Sequence, residues 1–118
     1  MLSGTVVETN KQLCLLNDVK KTNNSFERMR GLLFRQKLTP MQALWIEPCP
    51  SVHTIGMKYS IDVIFLDKTG VVLKIVNNLK PLRMAMCKNA VVSLEMLAGC
   101  AKKANVQVGM KLNWIRRR

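Results

Sequence analysis

The chain has 118 residues, a formal net charge of +12 and a hydrophobic content of 48%. A chain of this length supports one domain, residues 1–118, which buries roughly two-thirds of its unfolded surface on folding. No apolar run reaches the ~20 residues that a membrane-spanning helix needs. The first ten residues lack the basic and apolar regions of a signal peptide. We therefore expect a cytoplasmic protein without a membrane span.

Positive charge is concentrated in the second half of the chain. From Val71 onward ten cationic residues stand against a single acid, Glu95, so this part alone carries +9. Such a field attracts polyanions over about a Debye length, although a basic surface can also serve solubility alone. If nucleic acid or another polyanion is a partner, the predicted binding residues are Lys102, Lys103, Lys111, Arg116, Arg117 and Arg118.

The first part of the chain predicts two strands and a helical turn. Thr5–Thr9 and Gln12–Leu16 are short β-rich runs separated by a two-residue turn. Farther on, Asn24 is a suitable N-cap, and Glu27 at the third helical position can accept a hydrogen bond from the Asn24 backbone amide. We therefore expect a hairpin followed by one short helical turn.

The middle of the chain contains the clearest predicted element, a β-hairpin. Prolines on both sides leave room only for a short strand at Ala43–Ile46. Beyond them, Ile61–Leu66 and Val71–Val76 are β-rich runs joined by Asp67–Gly70. A four-residue connection that ends in glycine is typical of a hairpin turn.

The last third of the chain predicts two further strands. Val91–Leu97 reads as a strand, Ala98–Lys103 as a short turn or helix, and Lys111–Ile115 as a closing strand. Short strands with little helix favour an all-β domain, a jelly-roll-like antiparallel sandwich or barrel of about eight strands with one short helix.

The segment Ser51–Asp67 holds the only histidine, a lysine and two aspartates within a pattern that otherwise predicts a buried strand. Polar groups in such a place must be paired or functional, because burying an unpaired charge costs free energy. Alternation along the strand puts Asp62 on the face of Ile64. Its carboxylate is expected to pair with Arg30 or Lys58, or to accept hydrogen bonds from turn amides; contact with a ligand is the alternative.

Cys49, His53 and Met57 form a Cys-x3-His-x3-Met run similar to the copper loop of cupredoxins. A type-1 copper site takes a second histidine, and this chain has one histidine. A softer Cu(I) site stays an alternative, but we expect no metal and no cofactor. The four cysteines form no Cys-x-x-Cys pair and are expected to be free thiols. An enzyme would use Cys49 with His53, or Asp62 with His53.

Four segments occur in the order of the motifs of a known family: Arg30–Arg35, Val52–Met57, Ile61–Asp67 and Leu94–Gly99. Together with Gly109 they resemble domain-of-unknown-function family 192, over about Arg28 to Trp114. The resemblance implies a compact all-β domain of jelly-roll-like type with a small helix, and no established activity. The motif positions that it indicates are Arg30, Met57, Asp62 and Glu95, with His53 marking one branch.

The leading functional hypothesis is a small non-enzymatic binding module with an unknown ligand. Several polar or soft side chains stand inside apolar motifs, and we expect them to converge on one concave site. The predicted ligand-binding residues are Arg30, His53, Met57, Lys58, Asp62 and Glu95. Polyanion binding through the basic second half is the second hypothesis, and an enzyme is the third.

Overall fold

A computed structural model describes residues 1–11, 13–24 and 37–117. Among them are nine strands and one short helix. In chain order they are β1 (Leu2–Glu8), β2 (Leu13–Lys21), β3 (Gln42–Ile46), β4 (Ser51–His53), β5 (Ile61–Leu66), β6 (Val72–Leu79), β7 (Met84–Met86), β8 (Val92–Leu97), α1 (Cys100–Lys103) and β9 (Leu112–Arg116). The predicted all-β class with one short helix is confirmed. The helical turn predicted after Asn24 lies outside the described residues.

Seven strands form one sheet in the order β6-β5-β8-β3-β2-β1-β9, and β4 pairs with β7 in a second sheet. The sheet is mixed, because β2 and β3 run parallel while the other neighbours run antiparallel. A parallel pair needs a crossover of a dozen or more residues, and residues 22–41 provide one. No helix in the described ranges is long and apolar enough to cross a membrane.

The two edge strands of the large sheet meet at one end only. Val71 forms an antiparallel bridge with Lys111, and the Leu112 amide donates to the Gly70 carbonyl at 2.8 Å. A Cβ at Gly70 would lie 2.4 Å from the Leu112 carbonyl oxygen, so only glycine permits this approach. The sheet is therefore rolled and sandwich-like rather than a closed barrel.

At the other edge β1 lies between β2 and β9, with Gly4 opposite Arg116. The indole of Trp114 covers Gly4, where a Cβ would stand 2.5 Å from the indole Cε2 atom. The same indole donates to the Val19 carbonyl of β2 at 3.1 Å. Trp114 thereby fastens β9 across β1 to β2.

Two hydrophobic cores lie on opposite sides of β5 and β8. The first core draws on the large sheet and α1, and its β5 and β8 members include Ile64 and Leu94. The second core includes Val63 and Phe65 of β5, covered by Val52 of β4. All six residues of β5 are buried. Alternate residues of this strand therefore point into different cores.

The predicted hairpin of β5 and β6 is confirmed. Its turn is held by Asp67, whose Oδ1 accepts hydrogen bonds from the Thr69 amide at 2.8 Å and the Val71 amide at 3.0 Å. The Thr69 hydroxyl also donates to this oxygen and is the main reason that the pKa of Asp67 lies below its ordinary value. The turn ends at Gly70, the residue that contacts Leu112 of β9.

Candidate functional site

Asp62 is completely buried, on the side of β5 that faces the first core. Its Oδ1 accepts the Asn78 amide at 2.9 Å, and its Oδ2 accepts the amides of Gly99 at 2.9 Å and Ala101 at 3.1 Å. Backbone amides, rather than Lys58, therefore satisfy the carboxylate within the described chain. Because two of the donors lie at the start of α1, Asp62 fastens that helix to β5.

A cleft of about 650 Å³ lies beside α1. Its wall carries side-chain amides and one cation, contributed by Asn77, Asn78, Lys102, Asn105 and Gln107. Asp62 also lies at this wall, but its side chain is 0% exposed. Asp62 therefore shapes the cleft through the amides that it holds.

Glu95 is the second buried carboxylate, and it lies on the opposite side of the sheet. It stands across from Leu44 in β3 and Val63 in β5, both members of the second core. The residue is 4% exposed, and its Oε1 has no hydrogen-bond partner in the described part of the chain. Burial raises the pKa of Glu95 to about 7. This carboxyl group therefore changes its charge near neutral pH.

Tyr59 lies close enough to Glu95 for their charges to interact. Burial, followed by the negative charge of Glu95, raises the pKa of Tyr59, while the Leu38 backbone opposes the shift. The Leu38 contact is a backbone hydrogen bond too weak to meet the usual geometric limits, so the buried hydroxyl of Tyr59 has no partner of ordinary geometry among the residues described. Met57 packs against the same second core, and Lys58 is exposed. Glu95, Tyr59 and Met57 thus meet at one core.

His53 lies elsewhere. On β4 the neighbouring Val52 points into the second core, and His53 is exposed on the other face. Asp62 stands opposite Met96 while Glu95 stands opposite Val63, so the two carboxylates point to opposite sides of the sheet. The structure does not bring Asp62, His53 and Glu95 together. Arg30 lies outside the described residues, and the binding role of each residue stays a prediction.

The residues predicted for an enzyme are also separated. The Cys49 thiol donates to the Ser51 carbonyl at 3.0 Å and packs against the second core, whereas His53 faces solvent. All four cysteines are free thiols, as expected. No group of three His, Cys, Asp or Glu residues suited to a metal occurs in residues 1–11, 13–24 and 37–117. Neither catalytic pair is assembled in this part of the chain.

Sequence reasoning missed Tyr59 and Thr54. Thr54 is 0% exposed; its hydroxyl donates to the Lys80 carbonyl at 2.6 Å and accepts the Arg83 amide at 2.8 Å. It thereby holds the turn that leads into β7. The available signal was the presence of both residues in the motif-bearing segment between Ser51 and Asp67.

The basic residues of the second half are exposed along α1 and β9: Lys102, Lys103, Lys111, Arg116 and Arg117. Within the described ranges the ion pairs join Lys20 to Asp18 and Lys21 to Glu47. These basic residues have no carboxylate partner there. Lys111 and Arg116 are five strand positions apart, roughly 17 Å, and this odd spacing places their side chains on opposite faces of the strand. Arg118 lies outside the described residues.

Comparison with known proteins gives a family match and two similar structures. The model of domain-of-unknown-function family 192, described as an uncharacterised ACR, matches residues 5–114. A UPF0127 protein of Pyrococcus abyssi is 32% identical, over 95% of this chain and 98% of its own length. A crystal structure of a protein of unknown function from Novosphingobium aromaticivorans has a TM-score of 0.75 and 22% identity, covering 95% of this chain and 84% of its own. A candidate transcription regulator from Sinorhizobium meliloti has a TM-score of 0.77 and 18% identity, covering 96% and 92%.

Proposed function

Because the chain belongs to domain-of-unknown-function family 192, an uncharacterised family, we propose its function from its own residues: it is a small non-enzymatic binding module. The observation that carries this proposal is the Oε1 of Glu95, which has no hydrogen-bond partner among the described residues at a position 4% exposed. The proposed site combines Glu95, Tyr59 and Met57, with Lys58 at its rim. Arg30 remains a predicted contributor.

The chemistry of these groups indicates the class of ligand. A buried polar atom without a partner costs about 1–3 kcal/mol, more when it is charged. A ligand that donates to Glu95 and accepts from the Tyr59 hydroxyl would satisfy both groups at once. The flexible thioether of Met57 suits an apolar part of such a ligand. Small amines, guanidines and amides with a short apolar portion meet these requirements.

A thermal-shift screen tests the proposal. Small primary amines, guanidines and amides are titrated against the wild-type protein and Glu95→Gln, with Glu8→Gln as the control because Glu8 is also buried. A ligand that binds only the folded protein raises the melting temperature with its concentration. We expect such a rise in the wild type and in Glu8→Gln, and its loss in Glu95→Gln. Equal shifts in all three proteins, or none in any, would contradict the proposed site.

Polyanion binding is the second candidate function, favoured by exposed cations that have no carboxylate partner in the described part of the chain. The fold shared with a candidate transcription regulator makes duplex DNA a suitable probe. The logarithm of the association constant for a short DNA duplex should fall linearly with the logarithm of the salt concentration, with a slope of about −0.9 per phosphate neutralised. A Lys111→Gln/Arg116→Gln variant should reduce the slope, and Lys20→Gln serves as the control because Lys20 is paired with Asp18. A flat salt profile excludes this function.

A further inference from the structure

The small sheet of β4 and β7 presents three soft metal-ligand side chains on one face. Val52 stands opposite Ala85, and both pack with the second core. His53 stands opposite Met84, and Met86 is two residues farther along β7. Because side chains alternate along a strand, these three share the outer face. Met84 is 67% exposed and Met86 is 63% exposed.

The hydrogen-bond pattern of this sheet shows that His53 and Met84 form a non-hydrogen-bonded pair, the closer of the two kinds of antiparallel pair. The Thr54 amide donates to the Arg83 carbonyl at 2.8 Å, and the Cys87 amide donates to the Pro50 carbonyl at 3.1 Å. Hydrogen-bonded and non-hydrogen-bonded pairs alternate in an antiparallel ladder, so the His53–Met84 pair is of the second kind. Such pairs have Cα atoms about 4.5 Å apart and closely approaching side chains.

The second thioether lies within reach of the same point. Met84 and Met86 are two positions apart on one strand, so their Cα atoms are about 7 Å apart. A methionine side chain has three rotatable bonds and can turn its sulfur toward a shared ion. The imidazole of His53 forms no hydrogen bond with any residue that the structure describes. All three donors are therefore available to one ion.

The start of β7 is held in place independently of any ligand. The buried Thr54 hydroxyl bonds both ends of the turn, at Lys80 and Arg83. Within that turn Leu82 has a φ of 64°, a left-handed conformation that is costly for this residue. A fixed turn keeps Met84 opposite His53. The donors are thus presented on a supported strand rather than on a loose loop.

The chemistry of the donors selects the ion. Thioethers favour soft ions such as Cu(I), and imidazole also binds copper. None of the three donors carries a negative charge, and the Lys74 ammonium donates to the Met86 carbonyl at 3.0 Å. A neutral ligand set beside a cation disfavours divalent ions. We infer that the outer face of β4 and β7 binds one soft monovalent ion, Cu(I) or its analogue Ag(I), through His53, Met84 and Met86.

This site differs from the Cys49, His53 and Met57 run considered from the sequence. Cys49 and Met57 pack against the second core, whereas His53 faces solvent. The new ligands come from β7, about thirty residues farther along the chain. Only the strand pairing joins them to His53.

Ag(I) titration of the unmodified chain, observed through methionine methyl NMR signals, is the first test. Because the free thiols bind Ag(I) first, Ag(I) added beyond their equivalents should shift the methyl signals of Met84 and Met86 and the ring signals of His53. The methyl signal of Met41, which is 53% exposed and directly precedes β3 of the large sheet, is the internal control. Shifts at Met84 and Met86 without one at Met41 support the site. No selective shift there overturns it.

Free thiols also bind Ag(I) and Cu(I), so a second test removes the three that are not buried and keeps Cys100, which is 4% exposed. In Cys14→Ser/Cys49→Ser/Cys87→Ser the ion should still bind in a one-to-one ratio, measured for Cu(I) against a competing chelator without oxygen. Adding Met84→Leu/Met86→Leu should weaken binding by about tenfold or more, while adding Met41→Leu should not. Loss of binding on thiol removal alone, in a folded protein, assigns the ion to cysteine and overturns the site. If the thiol variant does not fold, the methyl signals of the unmodified chain decide.

Discussion

Asp62 and Glu95 occupy neighbouring strands, one register step apart, and both are at least nine-tenths buried. Their surroundings are nevertheless opposite. Asp62 receives three backbone N–H donors on the first-core side. Glu95 has an oxygen without a described partner on the second-core side, and its pKa is raised to about 7. Two equally buried carboxylates therefore differ in their partners: backbone amides satisfy Asp62, whereas no described residue satisfies Oε1 of Glu95.

Asp62→Asn gives the largest expected effect. The backbone N–H donors are divided between Oδ1 and Oδ2 of Asp62. An asparagine side chain has a single oxygen, so it can accept from one set of donors and leaves the other set unpaired. We expect unfolding free energy to fall by roughly 4 kcal/mol in urea denaturation.

Asp67→Asn is the matched control for that change. Its donors all converge on Oδ1, which an asparagine carbonyl can replace. The expected cost is below about 1 kcal/mol. Equal losses in the two variants would show that Asp62 contributes through something other than its divided donors.

Glu95→Gln gives a smaller effect whose size depends on pH. The folded-state pKa of about 7 lies above the ordinary value of 4.5. The folded state therefore keeps a proton that the unfolded state releases. The contribution of Glu95 to wild-type stability is complete below the unfolded-state pKa. It is lost as pH rises through the folded-state pKa, by up to about 3 kcal/mol. The substituted amide does not titrate and has no such loss, so the variant should gain relative stability between about pH 5 and about pH 8.

Urea denaturation at about pH 5 and at about pH 8 measures this difference in stability, with Glu8→Gln as the control. Glu8 is also buried, so a general effect of replacing a buried carboxyl group would affect both variants equally. A Glu95→Gln effect that is the same at both pH values would contradict the raised pKa.

The smallest expected effect is a change in the pKa of Tyr59, the only tyrosine in the chain. Because the charge of Glu95 helps to raise this pKa, Glu95→Gln should lower it toward the ordinary value. Asp62→Asn should leave it unchanged, since Asp62 faces the other core. Ultraviolet absorbance of the phenolate follows the titration directly. A shift of the same size in both variants would mean that the sheet does not separate the two carboxylates.

Local pattern was enough to predict the β5–β6 hairpin and the orientation of Asp62. The hairpin has β-rich runs on both sides of Asp67–Gly70, and period-two alternation places Asp62 with Ile64. The pattern could not predict β4 or β7, because three residues show no period. The surroundings of Glu95 also escaped prediction, since Leu44 and Tyr59 reach it through strand order and loop packing. The candidate site therefore depended on tertiary structure more than the fold class did.

The pairing of β1 with β9 has a consequence for folding during synthesis. Gly4 and Arg116 are neighbours across this ladder although more than one hundred residues separate them in the chain. Non-local pairings of this kind slow folding, because a long loop must close before the contacts form. A ribosome makes β1 early and β9 late, so one edge of β1 waits unpaired through most of translation. The Trp114 indole lies over Gly4 and bonds to β2, so the pairing of β9 with β1 completes this edge of the sheet.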